Sequence, residues 1–106
     1  MTIAAKAFAE MMGTFAVVFV GGTSILLVEK FPNVFPSFVV AVTFGLMVTL
    51  MILAAGHVSG AHFNPAVTLA FAVTRRLPLS QIPFYWASQL IGGWMAAILL
   101  TILGKL

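Results

Sequence analysis

From Ala7 to Val28 the chain runs 22 residues with a single ionisable side chain, Glu10. A helix of that length reaches about 33 Å at 1.5 Å per residue, enough to cross a hydrocarbon layer of about 30 Å. Two more apolar runs follow, from about Ser37 to Ala55 and from about Phe84 to Leu103. Composition points the same way, with 62% apolar and 7% charged residues, against roughly 45–50% and about 25% in soluble domains. So few polar side chains cannot coat a soluble globule of this size. The expected fold class is an all-α membrane protein with three transmembrane helices. The first run is longer than a signal-peptide core, carries Glu10 and shows no clear cleavage site, so it reads as a retained span. Between the first two spans lie Glu29, Lys30, Pro32, Asn33 and Pro36, a loop at the membrane surface.

Several function classes fall away at once. With no cysteine there is no disulfide framework and no thiolate metal site. A net charge of +3, scattered along the chain, gives no footprint for nucleic acid. No nucleophile constellation, metal-ligand cluster or phosphate-binding loop is present, so the expectation is a protein that is not an enzyme and uses no cofactor and no metal.

The segment from Gly56 to Pro83 fits neither a polar loop nor a fourth span. Residues 56–63 mix small residues with His57 and His62 and are expected to be irregular. At Asn64-Pro65 a favoured N-cap residue meets a proline at the first helical position. The helix that starts there meets Arg75, Arg76 and Pro78 after eleven residues, about 16 Å, or half a bilayer. The reading is a re-entrant loop and half-helix over about 56–76 with Asn64 at its tip, followed by an interfacial connector from Leu77 to Pro83. Backbone at that depth is tolerated only where it is buried in protein or lines a cavity.

The stretch Ser59-Gly60-Ala61-His62-Phe63-Asn64-Pro65-Ala66-Val67-Thr68, preceded by Gly56-His57, resembles the first signature loop of the aquaporin (major intrinsic protein) family. Ala9-Glu10 with Gly13-Thr14-Phe15, Phe44-Gly45, and Gln89-Leu90-Ile91-Gly92-Gly93 resemble that family's first three helices. The resemblance covers most of the chain but only half of a family member, which joins two inverted three-span repeats. It implies half of the aquaporin inverted-repeat fold, completed by oligomerisation. Val67 stands where the second-half loop usually has arginine, so no residue here matches the arginine of the family's aromatic/arginine filter.

The chemistry of such a site is readable without the family. A helix starting at Pro65 directs the positive end of its dipole toward the membrane midplane. The carboxamide of Asn64 caps that helix or offers its NH2 donors to a permeant molecule. Two such tips facing each other favour a water oxygen and repel protons and cations. Carbonyls of Gly60, Ala61 and His62 would supply a ladder of acceptors leading to Asn64, Pro65 and Ala66. By resemblance, Phe44 is an aromatic filter residue, and Glu10 braces the backbone N–H groups of the loop with His57 as a further structural hydrogen-bonder. The plainer readings are that Asn64 caps a surface helix, that Phe44 faces lipid or core, that His62 lends only its backbone carbonyl, and that Arg75 and Arg76 anchor the half-helix.

Span order puts Lys6, Arg75 and Arg76 on one face and Lys30 and Lys105 on the other, a small difference under the positive-inside rule. Dual topology is therefore expected, with two chains pairing antiparallel to rebuild a six-span unit. Small residues at Ala9/Gly13, Gly56/Gly60 and Gly92-Gly93/Ala96-Ala97 permit the close contacts this requires. Four such units would assemble by family analogy. The expected function is a passive channel for water, admitting small neutral solutes such as glycerol, urea or ammonia, in the cytoplasmic membrane. The alternatives are one half of a heteromeric channel, a non-conducting membrane fragment, which the start Met1 and intact motif argue against, and a small dual-topology antiporter built around Glu10.

Overall fold

The computed structural model describes residues 1–106 and is entirely helical, with no strand. Helix α1 spans Ile3–Lys30, α2 Phe38–Ser59, α3 Pro65–Val73 and α4 Ile82–Gly104, with a 3₁₀ turn at Leu79–Gln81 leading into α4. Three stretches are long and apolar enough to cross a membrane: Ile3–Lys30, Phe38–Ser59 and Leu79–Gly104. With 28 residues α1 reaches about 42 Å, whereas the nine residues of α3 reach only about 14 Å.

Each boundary has a local cause. Thr2 starts α1 four residues before the apolar run, its Oγ1 accepting from the Ala5 amide at 3.1 Å. The expectation of irregular chain from Gly56 onward is corrected, because α2 continues through His57 and Ser59. Gly56 is tolerated inside the helix. Gly60, at φ 88°, is the residue that stops it in the left-handed conformation glycine adopts at helix ends. Helix α3 begins as expected at Asn64-Pro65 but is two residues shorter. Arg75 turns left-handed at φ 62°, and the Arg76 amide donates back to the Phe71 carbonyl at 2.8 Å. That is a Schellman closure with arginine where glycine is usual, at a cost of about 1–2 kcal/mol. The expected connector from Leu77 to Pro83 is shortened, since Pro83 falls in the first turn of α4, where its missing N–H costs nothing.

Helix α1 is the centre of the fold and packs along both α2 and α4, while α3 packs against α4. Three glycines on α1 receive side chains from its neighbours: Gly13 the ring of Phe63, Gly21 the ring of Phe44 and Gly22 the tip of Leu100. Gly92 of α4 lies directly against the Met11 backbone carbonyl. The small residues Gly13 and Gly92, read from the sequence as surfaces for chain pairing, are thus consumed inside one chain.

The burial pattern inverts that of a soluble domain. Of the 16 buried residues, eight are polar or charged, including Glu10, Thr14, Ser59, His62, Thr68 and Gln89. Leu46, Leu53, Leu90, Trp94 and many other large apolar side chains face outward. A bilayer solvates these apolar faces but offers nothing to a polar group, which must therefore find its partners inside the protein. The protein is an integral, multi-pass membrane protein.

Candidate functional site

Glu10 lies two turns into α1 and is completely buried. Four donors converge on its carboxylate. Oε1 accepts from the Ser59 hydroxyl at 2.7 Å and the His62 amide at 2.9 Å. Oε2 accepts from the Phe63 amide and from Nε2 of Gln89, both at 2.7 Å. A buried carboxylate with no cation beside it survives only if its lone pairs are filled, and charge-assisted bonds of this kind are the strong ones. Two of the four bonds come from loop amides. The carboxylate ties α1 to the end of α2, to the re-entrant loop and to α4.

A second layer continues the network. Nε2 of Gln89 also donates to the Thr68 hydroxyl at 2.8 Å, and that hydroxyl lies 2.9 Å from Nδ1 of His62. The His62 ring stacks on Phe71 with centroids 4.5 Å apart and tilts against Tyr85 at 4.9 Å. The reading that His62 lends only its carbonyl is therefore corrected, because its ring is a buried part of the support. Tyr85 donates to the Ser59 carbonyl at 2.6 Å and Trp86 to the Pro65 carbonyl at 3.1 Å, so α4 holds both sides of the loop. Replacing Tyr85 by phenylalanine strands a buried carbonyl and is expected to cost about 1–2 kcal/mol. Chemical unfolding of the detergent-solubilised protein would measure it, and an unchanged midpoint would show that this bond contributes nothing.

The brace determines the loop's conformation. Gly60, Ala61 and Phe63 all have positive φ, at 88°, 55° and 55°. For Ala61 and Phe63 that conformation is costly and persists only where the surroundings enforce it. Ser59 Oγ accepts the Ala61 amide at 3.1 Å, and Glu10 holds the next two amides. With their amides drawn inward, the carbonyls of Gly60, Ala61 and His62 accept no hydrogen bond from the chain.

Asn64 sits extended at φ −157° and exposed, its Oδ1 accepting from the Ala66 amide at 2.8 Å. The oxygen caps α3, which leaves the exposed amide NH2 as a donor pair with no partner in the chain. Pro65 and Ala66 are exposed beside it, and Val67 is half-buried. Phe63, next to the tip, packs on Gly13, ten residues or about 15 Å from the start of α1. The tip therefore lies about a third of the way along α1.

Two residues lie apart from this cluster. His57 is exposed on the last turn of α2 and its side chain makes no hydrogen bond within the chain; Ser59, two residues on, bonds Glu10 instead. Phe44 is half-buried over Gly21, further along α1 and away from Glu10. Sequence reasoning did not pick out Ser59, Thr68, Tyr85 and Gln89 as network members. The available signal was a glutamine inside an apolar span, which in lipid needs a partner.

Comparison with known proteins matches residues 1–105 to the family model described as major intrinsic protein. Nodulin-26 of Glycine max is 44% identical over 92 residues, covering 87% of this chain and 34% of that protein. Aquaporin NIP3-1 of Arabidopsis thaliana is 45% identical over 97 residues, covering 90% and 29%. Aquaporin NIP2-1 of Zea mays is 47% identical over 97 residues, covering 90% and 32%. The chain spans about a third of the length of these curated relatives. A half-helix tipped by Asn64-Pro65-Ala66, a carboxylate brace beneath it and a family match over nearly every residue lead to one assignment: the chain belongs to the major intrinsic protein (aquaporin) family of membrane channels.

Proposed function

We propose that this repeat forms a passive pore for water by pairing antiparallel with a second copy of itself. The observation that carries the reading is the free donor pair of Asn64 at the tip of α3, beside three loop carbonyls that have no partner in the chain. A water molecule accepts from the first and donates to the second, in single file. The nine residues of α3 cannot cross the membrane alone, so a continuous path needs a second half-helix entering from the other side. A second copy supplies it, and in the pair the two α3 dipoles oppose cations and protons at the centre. Phe44 lines each mouth, and Val67 leaves both without an arginine, so small neutral solutes such as glycerol, urea or ammonia pass as well. Assembly of such pairs into fours follows the family analogy.

The test is osmotic shrinkage of vesicles carrying only the purified chain, followed by stopped flow. Fast shrinkage is expected, and Asn64→Leu is expected to return it to the rate of empty vesicles. Asn64→Asp keeps the cap oxygen but replaces the donors with negative charge, so water flow is expected to fall and cation flux to rise. Folded wild-type protein no faster than empty vesicles would overturn pairing with itself, and the missing half-helix would then belong to other sequence. Termini labelled on only one side of the membrane would likewise sink the antiparallel arrangement.

A further inference from the structure

The face of the molecule where α3 ends carries three cations and no acid. Arg75 and Arg76 follow the C-cap of α3, Thr74, and Lys6 reaches the adjoining turn, its Nζ 3.4 Å from Oε1 of Gln81. The protein has two acidic residues in all. Glu10 is buried and committed to four donors, and Glu29 is at the opposite end of α1. Nothing in the chain neutralises this face.

Between the end of α3 and the connector lies an open cleft of about 680 Å³. Arg75 and Arg76 line it beside an apolar wall of Ala72, Val73, Leu77 and Leu79. In that wall Ala72 and Leu77 are buried, while Val73 and Leu79 are exposed at its rim. The backbone supplies an independent sign. Arg75 occupies the left-handed closing position of the helix at φ 62°, where glycine is free of strain. Strain of this kind persists only where the surrounding structure enforces it, and both arginines line the cleft.

We propose that this cleft binds the phosphate headgroup of an anionic phospholipid, from the leaflet that meets the N-terminal end of α1. Arg75 and Arg76 both line the cleft, and a planar guanidinium can donate paired N–H bonds to two oxygens of one phosphate. The apolar wall takes the glycerol and first methylenes of the lipid, which a soluble phosphate lacks. The inference rests on membrane insertion alone and does not depend on conduction.

The experiment compares the full chain in vesicles of pure phosphatidylcholine with vesicles also containing phosphatidylglycerol. Phosphatidylglycerol retained per chain after detergent extraction is read by mass spectrometry, and the unfolding midpoint is read in each vesicle. Wild-type protein is expected to retain phosphatidylglycerol in preference to phosphatidylcholine and to unfold later in its presence. Retention is expected to fall roughly fivefold for each arginine removed, in Arg75→Gly and in Arg76→Gln. Lys105→Gln, on the opposite face, is expected to leave it unchanged. Arg75→Gly separates binding from folding, because relief of strain raises its midpoint in pure phosphatidylcholine while lipid selectivity drops. Equal retention of the two lipids, or variants that retain phosphatidylglycerol like wild type, would overturn the site. Stabilisation by inorganic phosphate in phosphatidylcholine vesicles equal to that by phosphatidylglycerol would assign the arginines to a soluble anion and overturn the lipid.

Discussion

Glu10→Leu is expected to release the re-entrant loop, at a cost of about 2–6 kcal/mol. The figure counts only the two backbone amides, His62 and Phe63, which have no other partner to turn to, at about 1–3 kcal/mol for each buried donor left unsatisfied. The Ser59 hydroxyl can rotate to a helix carbonyl and is left out. Since whole domains are stable by only 5–15 kcal/mol, a loss of this size is a large fraction of the total. Glu10→Gln is expected to be milder, and the reason lies in Gln89. Oε1 of Gln89 is buried without a partner. If that amide turns over, its oxygen accepts from the new NH2 group while its own NH2 then faces no acceptor, so the His62 amide keeps its bond and the orphans are the Phe63 amide, at about 1–3 kcal/mol, and the Gln89 NH2. Hydrogen exchange separates the two outcomes, because the amides of His62 and Phe63 should lose protection together in the leucine variant, with Phe63 the more affected in the glutamine variant. Full protection at both sites in Glu10→Leu would show that the loop holds its shape without the carboxylate.

The contrast shows which parts of this protein are legible in its sequence. Glu10 was conspicuous because an acid inside an apolar run must have a reason to be there. Asn64-Pro65 was equally plain, since a cap residue before proline starts a helix almost wherever it falls. The spans followed from length and composition, their ends only to within four residues. The apolar run ends at Ala55 and Gly56 opens a stretch of small residues, yet α2 runs on to Ser59. Only tertiary context decided, because the stop requires the amide of Gly60 to close on Gly56 just where Glu10 gathers the next amides. Positive φ at Ala61 and Phe63 left no trace, as neither residue favours it. Ser59, Thr68 and Gln89 are polar residues scattered over three elements, and their common purpose exists only once α4 lies against α1. The sequence also misdirected in one respect, since small residues signal a close contact without saying whether the contact is within the chain or between chains.

That last ambiguity sets up the second large effect, expected from Gly92→Ala. A methyl group at Gly92 would collide with the Met11 carbonyl and the backbone behind it. A side chain in the way can change rotamer, but a helix backbone cannot, so α4 must move off α1 as a body. Overpacking in a tight core costs about 1–3 kcal/mol even where side chains can adjust, and the upper end is expected here. The damage should also spread, because Gln89 sits one turn earlier on the same face of α4 and reaches Glu10 and Thr68 at 2.7 and 2.8 Å. A shift of 1 Å exceeds the tolerance of both bonds. Gly45→Ala is the control. Nothing approaches that position within 4 Å, and alanine is the better helix former by about 1 kcal/mol, so that variant should unfold at the same or a higher denaturant concentration. Gly13→Ala should fall between them, since the atoms it meets belong to the Phe63 ring. The ordering Gly45, Gly13, Gly92 from least to most destabilised, read from unfolding in detergent, tests whether the α1–α4 seam is an intrachain contact. If Gly92→Ala instead leaves the monomer's stability intact and only weakens association between chains, the seam belongs to assembly and not to the single chain.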